Sequence, residues 1–161
     1  MNKDLIYRVL AMVLGIACPL IMINWFPEVT SLSGFFETEA VPLFIIMNVV
    51  TAYFFYLLPN WKISGVLLFL VTAVPVQYYK HLHDILAVLF FASCIFAVWK
   101  SNRYRFLIIP FMISISVIPF SLLWAEISGI YSICVFHTLM VWERNRLQKE
   151  KKEIESIIED I

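Results

Sequence analysis

Six apolar runs, each closed by charge, proline or glycine, dominate what this chain can become: Leu5 to Phe26, Ala40 to Leu58, Ile63 to Tyr79, Ile85 to Trp99, Phe106 to Trp124 and Ile127 to Trp142. A helix needs about 20 apolar residues to cross a bilayer, somewhat fewer where flanking side chains snorkel, so runs this long and this frequent predict membrane-spanning helices. The fourth is the shortest, about 24 Å from Asp84 to Lys100 at 1.5 Å per residue. Composition points the same way. With 61% of 161 residues hydrophobic and 15% charged, a water-soluble domain would lack the polar surface to cover itself. The expected fold is all-α: an integral membrane six-transmembrane-helix bundle over residues 1–142, then a charged helical tail at 143–161.

Charge sets the expected orientation, because Lys and Arg are retained on the cytoplasmic side while acidic residues have little topological effect. Lys3 and Arg8 precede or open the first helix. Lys62 lies between the second and third, Lys100, Arg103 and Arg105 between the fourth and fifth, and Arg144, Arg146, Lys149, Lys151 and Lys152 after the sixth. The opposite side carries one base, Lys80, beside Glu28, Glu37, Glu39, Asp84 and Glu126. Both termini are therefore expected in the cytoplasm, with the chain multi-pass in an inner or plasma membrane. Tryptophans favour the headgroup level, which places Trp25 and Trp124 outside and Trp61, Trp99 and Trp142 inside. The 12 basic and 12 acidic side chains cancel, leaving no basic face for nucleic acid. The first run begins like a signal peptide, but nothing like A-x-A follows, and Gly15 stands three before Cys18 where a lipoprotein signal wants a branched apolar residue. It is expected to remain as a helix.

Pro19, Pro75, Pro110 and Pro119 are expected to kink or unwind their helices. With four glycines and no G-x-x-x-G, close helix packing is expected to rely on Ala, Ser and Thr. Cys18, Cys94 and Cys134 lie in apolar runs without C-x-x-C spacing and read as small buried hydrophobes. In the tail Leu147, Ile154 and Ile161 recur every seven residues, with Ile157 and Ile158 filling the seam. That spacing predicts an amphipathic or coiled-coil extension for a homo-oligomer or a partner protein.

The membrane makes seven polar residues costly: Asn48, Gln77, His81, His83, Asp84, Glu126 and His137. Asn48, in mid-helix, is expected to find an interhelical partner. His81, His83 and Asp84 fall at the outer mouth of the third and fourth helices and are candidates for a transition metal or a proton shuttle. In a helix the two histidines would point about 200° apart, so a shared chelate needs a loop there. His137, about two turns into the sixth helix, either faces an outer cavity with His83 and Glu126 or bonds a neighbouring helix. No nucleophile elbow, phosphate loop, H-E-x-x-H or G-x-G-x-x-G is present, and no cofactor is expected.

The order of these residues resembles the six-helix family of damage-regulated autophagy modulators and Sfk-type proteins. FPEVTSLSG is similar to that family's Pro-x-x-Ser-x-x-Gly-like outer loop through Pro27, Thr30 or Ser31, and Gly34. Phe44 and Asn48 in FIIMNVVTA match the second-helix pattern. HDILAVLFF resembles His-x-x-x-Ala-x-x-x-Phe through His83, Ala87 and Phe91, and Glu126 and Glu143 stand at either end of the last helix. The likeness runs from about Pro27 to Glu143. It departs in shorter loops, in Leu86 where the family has glycine, and in Ile127 where an aromatic often follows the glutamate. It implies cytoplasmic termini, a role in membrane-lipid organisation or homeostasis, and a polar set of Asn48, His83 and Glu126 converging near the outer leaflet.

Three functions follow as expectations. The first is a non-catalytic membrane protein that binds or organises membrane lipid or modulates partner membrane proteins, with Asn48, His83, Glu126 and His137 as ligand or headgroup contacts. The second is a metal-dependent lipid hydrolase or transferase built on His81, His83, Asp84, Glu126 and His137. The third is a small transporter or proton pathway through Gln77, His137 and Ser114.

Overall fold

The structure, a computed structural model, describes residues 3–159, with side chains to 157. Its elements are α1 (Lys3–Trp25), a 3-10 segment (Leu32–Glu37), α2 (Val41–Leu57), α3 (Lys62–Ala73), α4 (Val76–Lys100), a second 3-10 segment (Asn102–Leu107), α5 (Ile108–Val117) and α6 (Leu122–Glu159). Among the described residues there is no strand. Each helix packs on its neighbours in sequence, most extensively α2 on α3. α1 lies against α6 and a lesser contact joins α4 to α5, so the six close into a ring.

Three helices, α1, α4 and α6, are long and apolar enough to cross a membrane; α2 and α3 are apolar but shorter. The outside of the ring is greasy: Val13, Ile46, Phe69, Val88, Phe96 and Ile113 are all exposed. Such a surface is what lipid covers and what water does not tolerate.

The first two helices lie within about two residues of the expected spans, whereas the later boundaries differ. The run expected at 63–79 stops at Ala73, because Pro75 offers no donor and holds Val74 extended (φ −107°, ψ 96°). α4 then starts well ahead of the expected Ile85. The polar stretch Gln77 to Asp84 is helical, with one irregular residue at Tyr79 (φ −136°, ψ 49°). Lys80 and Asp84, one turn apart at 2.8 Å, support that turn. At 25 residues α4 is not the shortest helix; α5, with 10, is. The span expected at 106–124 is divided, its start belonging to the 3-10 segment and its end lying past Val117. α6 runs 38 residues without a break through the expected tail boundary. Leu147, Ile154 and Ile157 are exposed on it, and Ile161 lies outside the described residues.

Of the four prolines expected to kink helices, only Pro19 is interior. Pro75 precedes α4, Pro110 sits in the first turn of α5 where no intrahelical donor is needed, and Pro119 follows α5. Glycine also matters more than expected. A Cβ on Gly65 would stand 2.5 Å from the Tyr56 amide nitrogen and 2.6 Å from the Ala52 carbonyl oxygen, so α3 meets the bare backbone of α2 there. The turn between them is made by Asn60 in the left-handed region (φ 67°), which asparagine tolerates. Trp61, expected at a headgroup boundary, is instead 2% exposed and fills the core; Trp25, Trp99, Trp124 and Trp142 are exposed. The three cysteines are buried and unpaired.

Two apolar cores result. One, at the end where α1 begins and α2 turns into α3, includes Phe55, Leu58, Trp61, Val98, Tyr104 and Phe136. The other, under the loop between α1 and α2, includes Met22, Phe35, Phe36, Phe44 and Met47. We call these the hairpin end and the loop end.

Candidate functional site

At the loop end the 3-10 segment folds over the mouths of α4 and α6. Ser31 caps it, its hydroxyl accepting from the Gly34 amide at 3.2 Å, and Phe35 and Phe36 drop onto Phe44 with ring centroids 5.8 and 5.3 Å away. A segment with so little regular structure has backbone groups to satisfy, and side chains from distant helices do it. The Leu32 amide donates to Glu126 Oε2 at 2.7 Å. Gln77 Nε2 donates to the Phe36 carbonyl. The Leu123 amide donates to the Thr30 carbonyl at 3.1 Å, tying the start of α6 to the same loop.

His83 is the pivot. It is 2% exposed, with Nδ1 2.7 Å from the Val74 carbonyl oxygen and Nε2 2.9 Å from Ser33 Oγ. A carbonyl only accepts, so Nδ1 carries the proton; in the neutral ring Nε2 then accepts from the Ser33 hydroxyl. The carbonyl at the α3–α4 break, which has no helical partner, is thereby used. A serine on an oriented imidazole is also the arrangement that activates a nucleophile. Acyl transfer further requires free amide donors for the oxyanion. Here the amides flanking Ser33 are occupied, Leu32 by Glu126 and Gly34 by the Ser31 carbonyl and hydroxyl. The pair works as a clamp on the loop.

Beneath the clamp lies a partly open cavity of about 60 Å³, whose wall includes Ser33, Phe36, Asn48, Thr72, His83 and Glu126. His83 and Glu126 do not bond one another; they share the cavity and are linked through consecutive residues, Leu32 and Ser33. Asn48 donates Nδ2 to the Phe44 carbonyl of its own helix at 2.9 Å rather than across helices, because a carbonyl one turn back is always within reach. A second cavity of about 50 Å³ shares Leu32, Phe44, Asn48, Leu68, Phe90 and Ile130 with the first and reaches His137.

His137 itself belongs to the hairpin end. Eleven residues beyond Glu126, it is displaced from it by about 16 Å along α6. Its Nδ1 accepts from Arg8 Nη1 at 3.0 Å, and its ring sits 4.5 Å from Trp61, 5.5 Å from Phe55 and 5.4 Å from Phe136, centre to centre. Because arginine only donates, Nε2 carries the hydrogen, and it is buried with no partner among the described residues. Nearby, Tyr104 donates its hydroxyl to Glu143 Oε2 at 2.5 Å, Arg103 pairs with Glu143, and Arg144 with Asp4 at 3.4 Å.

The remaining candidates do not gather. His83 points inward to Ser33, Asp84 is paired with Lys80, and His81 is exposed; because α4 is helical here, the loop a common chelate needs is missing. Among the described residues no three His, Cys, Asp or Glu side chains form a metal-holding group. Gln77 binds the loop, Ser114 back-bonds to the Pro110 carbonyl at 2.9 Å, and His137 faces Arg8, so the three do not make a chain of hydrogen bonds. Ser33 and Thr72 were not singled out from sequence. The outer-loop landmarks pointed to the right segment, but nothing distinguishes Ser33 from Ser31 before the loop is folded. Compared with known protein families, curated proteins and solved structures, the chain matches none.

Proposed function

We propose that this chain is a non-catalytic multi-pass membrane protein that binds or organises lipid through the loop-end cavity, or modulates partner membrane proteins by doing so. The observation that carries this reading is the cavity itself: a partly open, aromatic-walled space holding Asn48, His83 and Glu126 in a molecule whose outside is apolar. Polar groups set in an apolar wall are what orient an amphipathic ligand. The resemblance to the damage-regulated autophagy modulators and Sfk-type proteins favours the same set of residues. In this reading all six helices cross an inner or plasma membrane, the short ones completed by the 3-10 segments and turns. Eleven of the twelve bases and both termini then lie in the cytoplasm.

Lipid retained by the purified full-length protein, measured by native mass spectrometry, tests the binding. Ala87→Phe places a ring in the cavity wall and is expected to remove retained lipid while leaving the protein folded; unchanged retention would overturn the assignment to this cavity. Orientation is read by single cysteines at Glu39 and Ser101 in a background lacking the three native ones. An impermeant maleimide applied to intact cells should label the first and spare the second. The exposed Leu147, Ile154 and Ile157 favour self-association or docking through the projecting part of α6, an idea that an unchanged oligomeric state after truncation at Arg146 would remove.

A further inference from the structure

From the unspent hydrogen-bond valences of the loop-end cavity we infer its ligand class: a primary ammonium group, as carried by an aminophospholipid headgroup or a free amine. This rests on the lipid-binding reading and sharpens it. The donors of the wall are largely used. His83 gives its Nδ1 hydrogen to Val74, Ser33 gives its hydroxyl hydrogen to His83, Thr72 gives its own to the Leu68 carbonyl at 2.8 Å, and Asn48 gives one amide hydrogen to Phe44.

What remains is mostly acceptors. Glu126 uses Oε2 for Leu32 and belongs to the cavity wall, which leaves its second carboxylate oxygen as an acceptor. Asn48 Oδ1 and the lone pairs of Ser33 and Thr72 are added to it. No Lys or Arg lines the cavity, and the nearest base on α4, Lys80, is exposed and bound to Asp84. A phosphate or carboxylate would meet a carboxylate without a cation, whereas an R-NH3+ group brings three donors and a charge. About 60 Å³ takes a few water-sized groups, so the ammonium and its adjoining carbons enter while the rest of a lipid stays in the bilayer.

The test uses full-length protein in nanodiscs and a methylation series on one phospholipid: phosphatidylethanolamine, its N-methyl and N,N-dimethyl forms, and phosphatidylcholine, with phosphatidylglycerol as the anionic comparison. Competition read by native mass spectrometry should favour the primary amine over the quaternary one by about tenfold, the worth of a charge-assisted hydrogen bond, with affinity falling at each methylation. Glu126→Gln, which keeps an acceptor for Leu32, should abolish the preference; should that variant not fold, the series on the unaltered protein still decides. Equal binding across the series, or preference for phosphatidylglycerol, would overturn the ammonium assignment and leave lipid binding standing. Retention of no lipid at all would overturn both. Free ethanolamine added to amine-free nanodiscs separates the sources: its retention by the unaltered protein, read by native mass spectrometry, assigns a soluble amine, and retention only of phosphatidylethanolamine assigns a lipid.

Discussion

The two ends of this bundle are held by different physics. At the loop end side chains of α4 and α6 satisfy backbone groups of an irregular segment: Glu126 on Leu32, Gln77 on Phe36, and Ser33 joined through His83 to the Val74 carbonyl. A partly open cavity lies underneath. At the hairpin end the backbone is already satisfied by helix and turn, and large rings close on one another around His137 and Trp61. Polar ties to a loop are worth about 1 kcal/mol each and can be released singly. Interlocked rings cannot be removed one at a time without opening a cavity. The hairpin end is closed by packing, and the loop end by single polar ties above a partly open cavity.

The comparison breaks or sharpens under substitution, beginning with the largest effect. Gly65→Ala sets a methyl against α2 backbone near the hairpin and is expected to destabilise by about 3 kcal/mol, read as a lower unfolding midpoint in detergent. His137→Ala should cost about as much, since it leaves a cavity and takes a hydrogen-bond partner from Arg8, a buried guanidinium 9% exposed. His137→Phe combined with Arg8→Met replaces both partners by apolar groups and should recover much of that loss. No recovery would show that Arg8 does more than bond His137.

His83→Ala is expected to be milder, about 1 to 2 kcal/mol, and local. Amide exchange should quicken over residues 30–38 and stay unchanged in α2 and α3. Uniform quickening would erase the distinction between the ends. Tyr104→Phe should cost about 1 kcal/mol. It also changes the pH response, because burial and then the Glu143 carboxylate push this phenol above its usual 10. A raised value favours the folded state fully below pH 10 and less as pH climbs through it, so the phenylalanine variant should lose this alkaline limb of the stability profile. Asp84→Ala breaks only the exposed pair with Lys80 and should change stability by less than about 0.5 kcal/mol.

Much of the fold was legible because apolar runs report where a helix can be buried or lipid-covered. They do not report helicity as such, which is why the polar stretch from Lys80 to Asp84 read as a break although it is helical and its backbone hydrogen bonds are indifferent to side-chain polarity. Three of the four prolines lie at helix ends rather than at kinks: Pro75 ends α3 because Val74 before it is extended, whereas Ile118 before Pro119 is still helical (φ −50°, ψ −44°) as α5 ends. Asn48, His83 and Glu126 were legible as costly groups and do share one cavity wall. Their main partners were not, since Leu32 contributes an amide, Val74 a carbonyl and Phe44 a carbonyl, and every residue has those. Of the two readings of His137, the bond to a neighbouring helix is the one seen, to Arg8 of α1, about 16 Å along α6 from Glu126.

The unbroken course of α6 has a mechanical consequence. Glu126 at one extreme and Ile157 near the other belong to a single rod, about 46 Å apart along its axis. Locked near His137 by the rings of the hairpin end, the rod has its fulcrum about 16 Å from Glu126 and about 30 Å from Ile157. A tilt about that point carries the carboxylate at the mouth of the cavity one way and the far tip the other, nearly twice as far.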